Sequence, residues 1–257
     1  MSKKIIAIAF AIVLVAGVLI YNSDAMKERR IINALVVQNL EARGGVDVWQ
    51  AINSLRLTGL MDLGQGMHVP YVVEKKRPGR FCIEFVFDEE TAVQCIDGKT
   101  GWKLLPYLGR DEPEAMTDAE FTQLASTAAI DGLLSSAVER GDKVTIVGHE
   151  MIAGSLAVKL ELVLPGGTVR WLYINKETGL DIKLESTRVL RGQERIVETF
   201  FYDWRESDGL LIPRRQESRT EGDEEFTFVT VESVISNLPI DDARFAIPAL
   251  QTENRRD

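Results

Sequence analysis

The sequence predicts a mainly β protein (α+β class) in which one antiparallel meander carries a few helices. From Leu55 onward, apolar residues alternate at a period of two, as they do in half-buried strands. Turn residues separate about ten or eleven such runs by hairpin-length connections. Helical spacing replaces the alternation before Leu55 and between Met116 and Arg140. No Pro-rich or Gly/Ser-rich linker interrupts the chain, so residues 26–257 are expected to form a single domain.

The first segment has the pattern of a secretory leader. Lys3 and Lys4 precede an unbroken apolar run over residues 5–20, and the small residues Ser23 and Ala25 follow. A basic start, an apolar run and a small-x-small site are typical of a signal peptide, so residues 1–25 are expected to be removed by cleavage after Ala25. An uncleaved N-terminal anchor is the alternative, because the run is only slightly shorter than a bilayer span. Either arrangement exports the body of the protein to the periplasm.

The charge of the chain argues against a nucleic-acid partner. The formal net charge is −9 and the pI is about 5.0. A nucleic-acid interface needs a basic face, and no stripe of Lys and Arg interleaved with aromatic residues occurs. The acidity is typical of a protein that stays soluble through its net charge.

Two helical segments are expected before the strands. In residues 26–43, apolar side chains from Ile32 to Leu40 recur at helical spacing, and a Gly-Gly pair follows as a stop signal. A shorter helical turn over residues 46–52 carries Trp49. The first strand then begins.

The two cysteines predict a cross-strand disulfide. Residues 80–87 and 90–97 are expected strands joined by a two-residue loop. Such a loop places Cys82 directly opposite Cys95 at a non-hydrogen-bonded site, where Cα atoms lie about 4.5 Å apart and a bridge is feasible. A cysteine pair in an exported chain is typical of a structural disulfide, with two unlinked thiols as the alternative.

A second hairpin is expected to bring further large apolar side chains onto one face. Its loop is taken to comprise residues 165–168. That length pairs Leu162 with Trp171 and Leu160 with Tyr173. Both strands then place large apolar residues on the same face, which supports the register.

Residues around 116–140 are expected to form a helical insertion. Thr117 and Glu120 make a capping box, and Phe121 and Leu124 follow at helical spacing. The small residues at 125–129 are typical of a helix that packs loosely. This insertion is expected to act as a lid over the sheet.

Motifs that carry catalytic chemistry do not occur in the sequence. No nucleophile elbow, phosphate loop or dinucleotide fingerprint is present, and neither His68 nor His149 has partners at metal-ligand spacing. The chain is therefore not expected to be an enzyme or to hold a cofactor or metal. Four strand carboxylates that are candidates for an acid/base pair are expected to face solvent instead: Glu161, Glu185, Glu198 and Glu217.

Six short motifs follow one another along nearly the whole mature chain. They are EARGG at 41–45, LRLTG at 55–59, KRPGRF at 76–81, DGKTGW at 97–102, DGLLIP at 208–213 and DDARF at 241–245. In this order, and behind a leader, they resemble the LolA/LolB-like superfamily of outer-membrane lipoprotein-sorting proteins, in its broader branch.

The resemblance implies both a fold and a function. The implied fold is an incomplete antiparallel barrel, or half-barrel, whose concave apolar face is covered by helices. The implied function is non-catalytic carriage of lipid, or of the acyl chains of lipoproteins, by a monomer with a delivery partner at the inner or outer membrane. A lipid-sensing regulatory module of the same fold is the alternative function. An enzyme of another type would require convergent polar groups in the groove.

The expected site is an apolar groove under a helical lid. Groove contacts are expected from Leu57, Phe81, Ile83, Phe85, Trp102, Leu160, Leu162, Trp171 and Tyr173. Lid contacts are expected from Phe121, Leu124 and Leu133. Ordinary packing in a closed core is the alternative for every one of these residues, because periodicity alone does not separate core packing from ligand contact.

Overall fold

A computed structural model describes residues 25–190 and 192–248, with the backbone alone at 189 and 190. All of the expected leader except Ala25 lies outside these residues. Within them, no helix combines the length and the apolar character needed to cross a bilayer.

The described residues form four α-helices and thirteen strands. The helices are α1 (25–42), α2 (Val46–Gln50), α3 (Asp118–Ala125) and α4 (Leu133–Arg140). The first six strands are β1 (Ser54–Asp62), β2 (His68–Lys76), β3 (Arg80–Phe87), β4 (Glu90–Ile96), β5 (Gly101–Leu105) and β6 (Arg110–Ala115). The remaining strands are β7 (Lys143–Ile152), β8 (Ser155–Val163), β9 (Val169–Asn175), β10 (Asp181–Leu190), β11 (Gln193–Ser207), β12 (Leu210–Thr220) and β13 (Thr227–Ser236).

All thirteen strands belong to one antiparallel sheet. Its order is β6-β5-β4-β3-β2-β1-β13-β12-β11-β10-β9-β8-β7, so two consecutive meanders join where β1 pairs with β13. The sheet is not closed, because β6 and β7 are its two edges. α3 and α4 lie in the connection between those edge strands.

The position of α3 shows that the sheet is strongly curved. α3 packs on β3 and β4, and Ser126 at its C-terminal end accepts a hydrogen bond from Arg170 on β9. β3 and β9 are seven strand positions apart, which is about 34 Å in a flat sheet, whereas α3 is about 12 Å long. The sheet therefore curls around the helices, and the expected mainly β half-barrel is confirmed. We call the side that contacts the helices the inner face and the other side the outer face.

Thirteen strands exceed the expected ten or eleven. The alternation of apolar residues did not predict either of the two edge strands. β6 (Arg110–Ala115) is an exposed, charged segment with a proline, which is typical of an edge that avoids pairing with other chains. β7 (Lys143–Ile152) contains a register shift between Ile146 and Gly148, which interrupts the alternation of apolar residues.

The junction between the two meanders depends on a glycine. The pairing of β1 with β13 shifts register between Thr58 and Gly59. A Cβ atom at Gly59 would lie 1.8 Å from the carbonyl oxygen of Thr230, far inside van der Waals contact. A side chain at Gly59 would therefore force the two strands apart at the centre of the half-barrel.

The predicted disulfide is confirmed on the outer face. Phe87 pairs with Glu90 across a two-residue loop, and Cys82 pairs directly with Cys95. The two cysteines are bonded, with their Cα atoms 4.1 Å apart. The chain after β13 folds back over this bridge and packs Phe245 against it, so that both sulfur atoms are fully buried.

Candidate functional site

An apolar floor lies on the inner face beneath α3. Phe81 and Phe85 are buried in it, and side chains of β1, β2 and β4 extend it. α3 covers this floor from above, but none of its eight residues is fully buried. Six of the twelve predicted groove and lid residues meet here: Leu57, Phe81, Ile83, Phe85, Phe121 and Leu124.

β2 contributes floor residues that were not predicted as groove contacts. Val69, Tyr71 and Val73 alternate along β2 and are buried in the same cluster. The Tyr71 hydroxyl donates a hydrogen bond of 3.0 Å to the carbonyl oxygen of Thr230, and burial together with the charge of Glu232 raises the pKa of Tyr71 to about 12. The period of two along β2 was a signal that would have identified these residues.

The predicted groove residues of the second meander lie in helix packing. Leu160 and Leu162 on β8 have no exposed surface. They pack against Leu134 and Ala137 of α4, with Leu133 alongside. In this structure the helices therefore occupy the inner face of β8.

Trp171 and Tyr173 lie on the outer face, and the predicted register of their hairpin is wrong by one residue. Leu162 pairs with Arg170, so Glu161 pairs with Trp171. Pro165–Gly167 form a single tight turn closed by Leu164, which leaves a loop of three residues rather than four. Because side chains alternate along a strand, a slip of one residue moves every side chain to the opposite face.

Trp102 also lies on the outer face, contrary to the prediction. It pairs with Cys95, so its side chain points to the same side as the disulfide. Its indole N–H donates a hydrogen bond of 3.0 Å to the carbonyl oxygen of Phe245. Trp102 therefore anchors the C-terminal segment to the sheet.

Lys75 connects the floor to the helical insertion. Its ammonium group donates hydrogen bonds of 2.7 and 3.0 Å to the carbonyl oxygens of Thr127 and Ala129. Both acceptors lie in residues 126–132, which join α3 to α4 and which we call the connector. Burial on the inner face, followed by repulsion from Arg43, lowers the pKa of Lys75 to about 8. The sequence signal for this contact was a lysine two residues after Val73, on a strand face that is otherwise apolar.

Two arginines hold the other end of the connector. Arg43, at the end of α1, donates a hydrogen bond of 2.5 Å to the carbonyl oxygen of Asp131 and stacks on Trp49. Arg77 forms an ion pair with the Asp131 carboxylate. Burial lowers the pKa of Arg43, although the charges of Asp181 and Asp131 oppose that effect. Three cations from the body of the fold thus bind one short segment of the insertion.

Two of the four candidate acid/base carboxylates, Glu185 and Glu198, belong to a structural ion network on the outer face. Glu185 and Glu198 lie directly opposite each other on β10 and β11, and Lys183 bonds both. Arg219 adds a hydrogen bond of 2.8 Å to Glu198, which is buried rather than solvent-facing as expected. Burial raises the pKa of Glu198, but the hydrogen bonds from Lys183 and Arg219 outweigh it and hold the pKa below its ordinary value.

Metal-binding groups are not assembled in the described part of the chain. Within residues 25–190 and 192–248, no three His, Cys, Asp or Glu side chains are arranged to hold a metal ion.

Comparison with known proteins gives a result at the level of fold. No protein-family model and no curated protein matches the sequence. A DUF1329 family protein from Desulfovibrio piger superposes with a TM-score of 0.58 at 13% identity, over 84% of this chain and 97% of that one. A LolA superfamily protein from Nitrosomonas europaea gives a TM-score of 0.57 at 12% identity, over 82% of this chain and 96% of that one.

A third solved structure is similar to the same degree. It is a domain from Vibrio parahaemolyticus named for outer membrane lipoprotein sorting, with a TM-score of 0.56 at 11% identity, over 86% of this chain and 97% of that one. The three matches cover nearly the whole of the compared structures and more than four fifths of this chain. The chain therefore has the fold of LolA superfamily and outer membrane lipoprotein-sorting structures, as its sequence motifs indicate.

Proposed function

We propose that this protein is a non-catalytic periplasmic carrier that binds the acyl chains of lipids or lipoproteins on the inner face beneath α3. One observation carries the proposal. Large apolar side chains of the floor and of α3 stay half-buried in the cluster where the two meet: Leu57, Met61, Ile83, Phe87, Phe121 and Leu124. A contiguous apolar surface that remains accessible inside a concave wall is typical of a binding groove rather than a finished core.

The energetics of an acyl chain fit such a surface. Each methylene group removed from water contributes about 0.8 kcal/mol, so ten methylenes supply about 8 kcal/mol before the cost of moving the lid. The same free energy keeps a free acyl chain from crossing the periplasm without a carrier. An apolar floor with a removable cover can bind the acyl chain and shield it from water while the protein crosses the periplasm.

α3 is suited to act as the removable cover. None of its residues is fully buried, whereas α4 buries Leu134 and Ala137 completely or nearly so. The connector that follows α3 is held by cations bound to carbonyl oxygens and to one carboxylate, and it also buries Ala128 and Ile130. An acyl chain that binds the uncovered floor stabilises the open arrangement, so cargo shifts the population from closed to open without an energy source.

The periplasmic assignment has three supports. The basic and apolar pattern of residues 3–20 is that of an export signal. A disulfide persists in an oxidising compartment, and Cys82 and Cys95 form one that is fully buried. The likeness to a domain named for outer membrane lipoprotein sorting agrees with the same location.

The proposal is tested by looking for cargo and by blocking the groove. Native mass spectrometry of protein purified from its own envelope should show co-purifying lipid or acylated peptide. The delipidated protein should take up a fluorescent fatty-acyl probe. Leu57→Glu places a charge on the floor and should abolish uptake, because Leu57 is half-buried among floor residues.

Ile235→Glu is the matched control for this substitution. Ile235 neighbours Val234, the cross-strand partner of Leu57, but it is exposed and points to the outer face. The variant should take up the probe as the wild type does. Equal uptake by both variants, or no cargo and no uptake by the wild type, overturns the carrier proposal. A crosslinked protein partner without lipid transfer would favour a sensor of the same fold.

A further inference from the structure

Arg170 has an unpaired hydrogen-bond donor on the inner face. It lies on β9 opposite Leu162 and is 8% exposed. One terminal nitrogen donates to the hydroxyl of Ser126, directly after α3, but its Nε has no hydrogen-bond partner among the described residues. A buried donor without an acceptor costs free energy, and the cost is larger for a charged group. The site thus provides a cation that the described residues do not neutralise.

Two more arginines lie on the same face beside Arg170. Ser186 is the cross-strand partner of Arg170, and Arg188 follows two residues later on the same side of β10. Arg195 on β11 lies directly opposite Arg188. Like charges placed opposite each other on adjacent strands are destabilising, so three guanidinium groups in one patch need an explanation.

Among the described residues, Arg195 is the one arginine of this patch that has a carboxylate partner. Its Nη2 atom lies 4.0 Å from Oδ1 of Asp223, which is the longest distance at which the two groups count as an ion pair. Within residues 25–190 and 192–248, Arg170 and Arg188 form no ion pair, and the charge that acts on Arg170 is that of Arg188. Burial, followed by that repulsion, lowers the pKa of Arg170 to about 10.

Arg188 is accessible and yet desolvated. Its side chain is exposed to solvent, but surrounding protein lowers its pKa through burial. The guanidinium group of Arg188 can therefore contact a ligand that arrives from solvent. Arg170 is more deeply buried and lies beside the C-terminal end of α3.

We propose that Arg170 and Arg188 bind the phosphate head group of an acyl ligand whose chains lie on the floor beneath α3. The inference rests on the proposed carrier function and deepens it by naming a ligand class, the phospholipids. Guanidinium groups match phosphate oxygens with paired N–H donors. Ser126 follows Leu124 and Ala125, which contact the floor, so a head group at Arg170 leaves the acyl chains next to the apolar cluster.

Binding of this kind removes the free-energy cost of the patch. A phosphate accepts the hydrogen bond that Nε otherwise lacks and reduces the repulsion among the three arginines. It also competes with Ser126 for Arg170. Because Ser126 directly follows α3, the head group would release one contact of the lid as it binds.

The test compares two ligands that differ only in phosphate. One probe is phosphatidylglycerol with a fluorescent acyl chain, and the other is the diacylglycerol with the same chains. The wild type should bind the phospholipid at least about tenfold more tightly, which is the effect of one charge-assisted hydrogen bond. Arg188→Gln should remove most of that preference and leave diacylglycerol affinity unchanged. Since Arg188 is exposed, the substitution should not disturb folding.

Controls separate this inference from the carrier proposal. Arg110→Gln removes an exposed arginine from edge strand β6 and should leave both affinities unchanged. Binding of neither probe overturns the carrier function itself. Equal affinity for both probes in the wild type overturns the phosphate site and leaves the carrier function intact. Binding of inorganic phosphate with no preference for the phospholipid assigns the patch to a soluble anion and also overturns the lipid head-group proposal.

Discussion

The ammonium group of Lys75 lies 2.7 Å from the carbonyl oxygen of Thr127. The donor belongs to β2 of the sheet and the acceptor belongs to the connector of the helical insertion, so this hydrogen bond joins the floor of the groove to its cover. A second bond of 3.0 Å to Ala129 makes Lys75 bidentate toward the same segment. Replacement of Lys75 therefore tests whether these two hydrogen bonds hold the helical insertion on the floor.

Lys75→Met should loosen α3 without unfolding the sheet. Loss of two hydrogen bonds from a charged donor is expected to speed hydrogen exchange in residues 118–128 by at least about tenfold. Lys76→Met is the matched control, because Lys76 bonds Ile240 and Asp242 on the outer side. It should leave exchange in α3 unchanged. Equal exchange in α3 of the Lys75 variant and the wild type would show that Lys75 does not hold the cover.

Alanine variants of Leu162 and Leu57 should distinguish a residue that packs the core from a residue that binds the acyl ligand. Leu162 has no exposed surface beneath α4, so Leu162→Ala should lower the free energy of unfolding by about 2–5 kcal/mol and preserve uptake of an acyl probe. Leu57→Ala should cost less stability, because Leu57 is half-buried, and should weaken uptake. Urea unfolding and probe titration measure the two effects. A loss of uptake in Leu162→Ala at unchanged stability would place the ligand over β8 instead.

Acid should weaken the cap of α3 through Glu120. A hydrogen bond from Lys103, followed by those of the Thr117 cap, lowers the pKa of Glu120 to about 2 from an ordinary 4.5. The ionised form is therefore favoured in the folded protein. Its contribution to stability is complete above about pH 4.5 and is lost as the pH falls toward 2.

Glu120→Gln makes this contribution measurable. The difference in unfolding free energy between wild type and variant should be constant from pH 7 to about pH 5 and shrink toward zero near pH 2. Lys103→Gln should remove much of the same pH dependence, since Lys103 lies 2.5 Å from the Glu120 carboxylate. A difference that does not change with pH would contradict the role of the ionised carboxylate.

Loss of the disulfide should destabilise the fold by a moderate amount. Cys82 and Cys95 are separated by 13 residues, and closing a loop of that size contributes about 3 kcal/mol in the chain-entropy model. The double variant Cys82→Ala/Cys95→Ala should show a loss of about 2–4 kcal/mol in urea unfolding. In the native wild type, reductant should act slowly, because both sulfur atoms are buried under Phe245. Rapid reduction without denaturant would show that the C-terminal segment does not cover the bridge.

Structural features that are set by residues close together in the sequence were predictable. The Thr117–Glu120 capping box begins α3 as expected. The β3–β4 hairpin turns at Asp88 and Glu89, both with positive φ, and its two-residue loop dictates the disulfide register. In each case the interacting groups are close in sequence, so local geometry leaves few alternatives.

The site was only partly predictable. Phe81, Ile83 and Phe85 were assigned to one face correctly, because they lie on a single strand. Trp171 and Tyr173 were assigned to the wrong face, because their position depends on whether a turn has three residues or four. Pro, Gly and Thr are compatible with either length, and one residue of slip reverses the faces.

The sequence by itself determined every strand except the two at the sheet edges, the capped start of α3, which cysteines pair, and that the fold is a β meander with a helical insertion. The tertiary structure decided which apolar faces become packed core and which remain half-buried under α3. That choice depends on the pairing of β1 with β13 and on contacts such as Lys75 to Thr127, between residues far apart in the chain. A period of two tells which side chains share a strand face, but only the curvature of the whole sheet makes one face the inside.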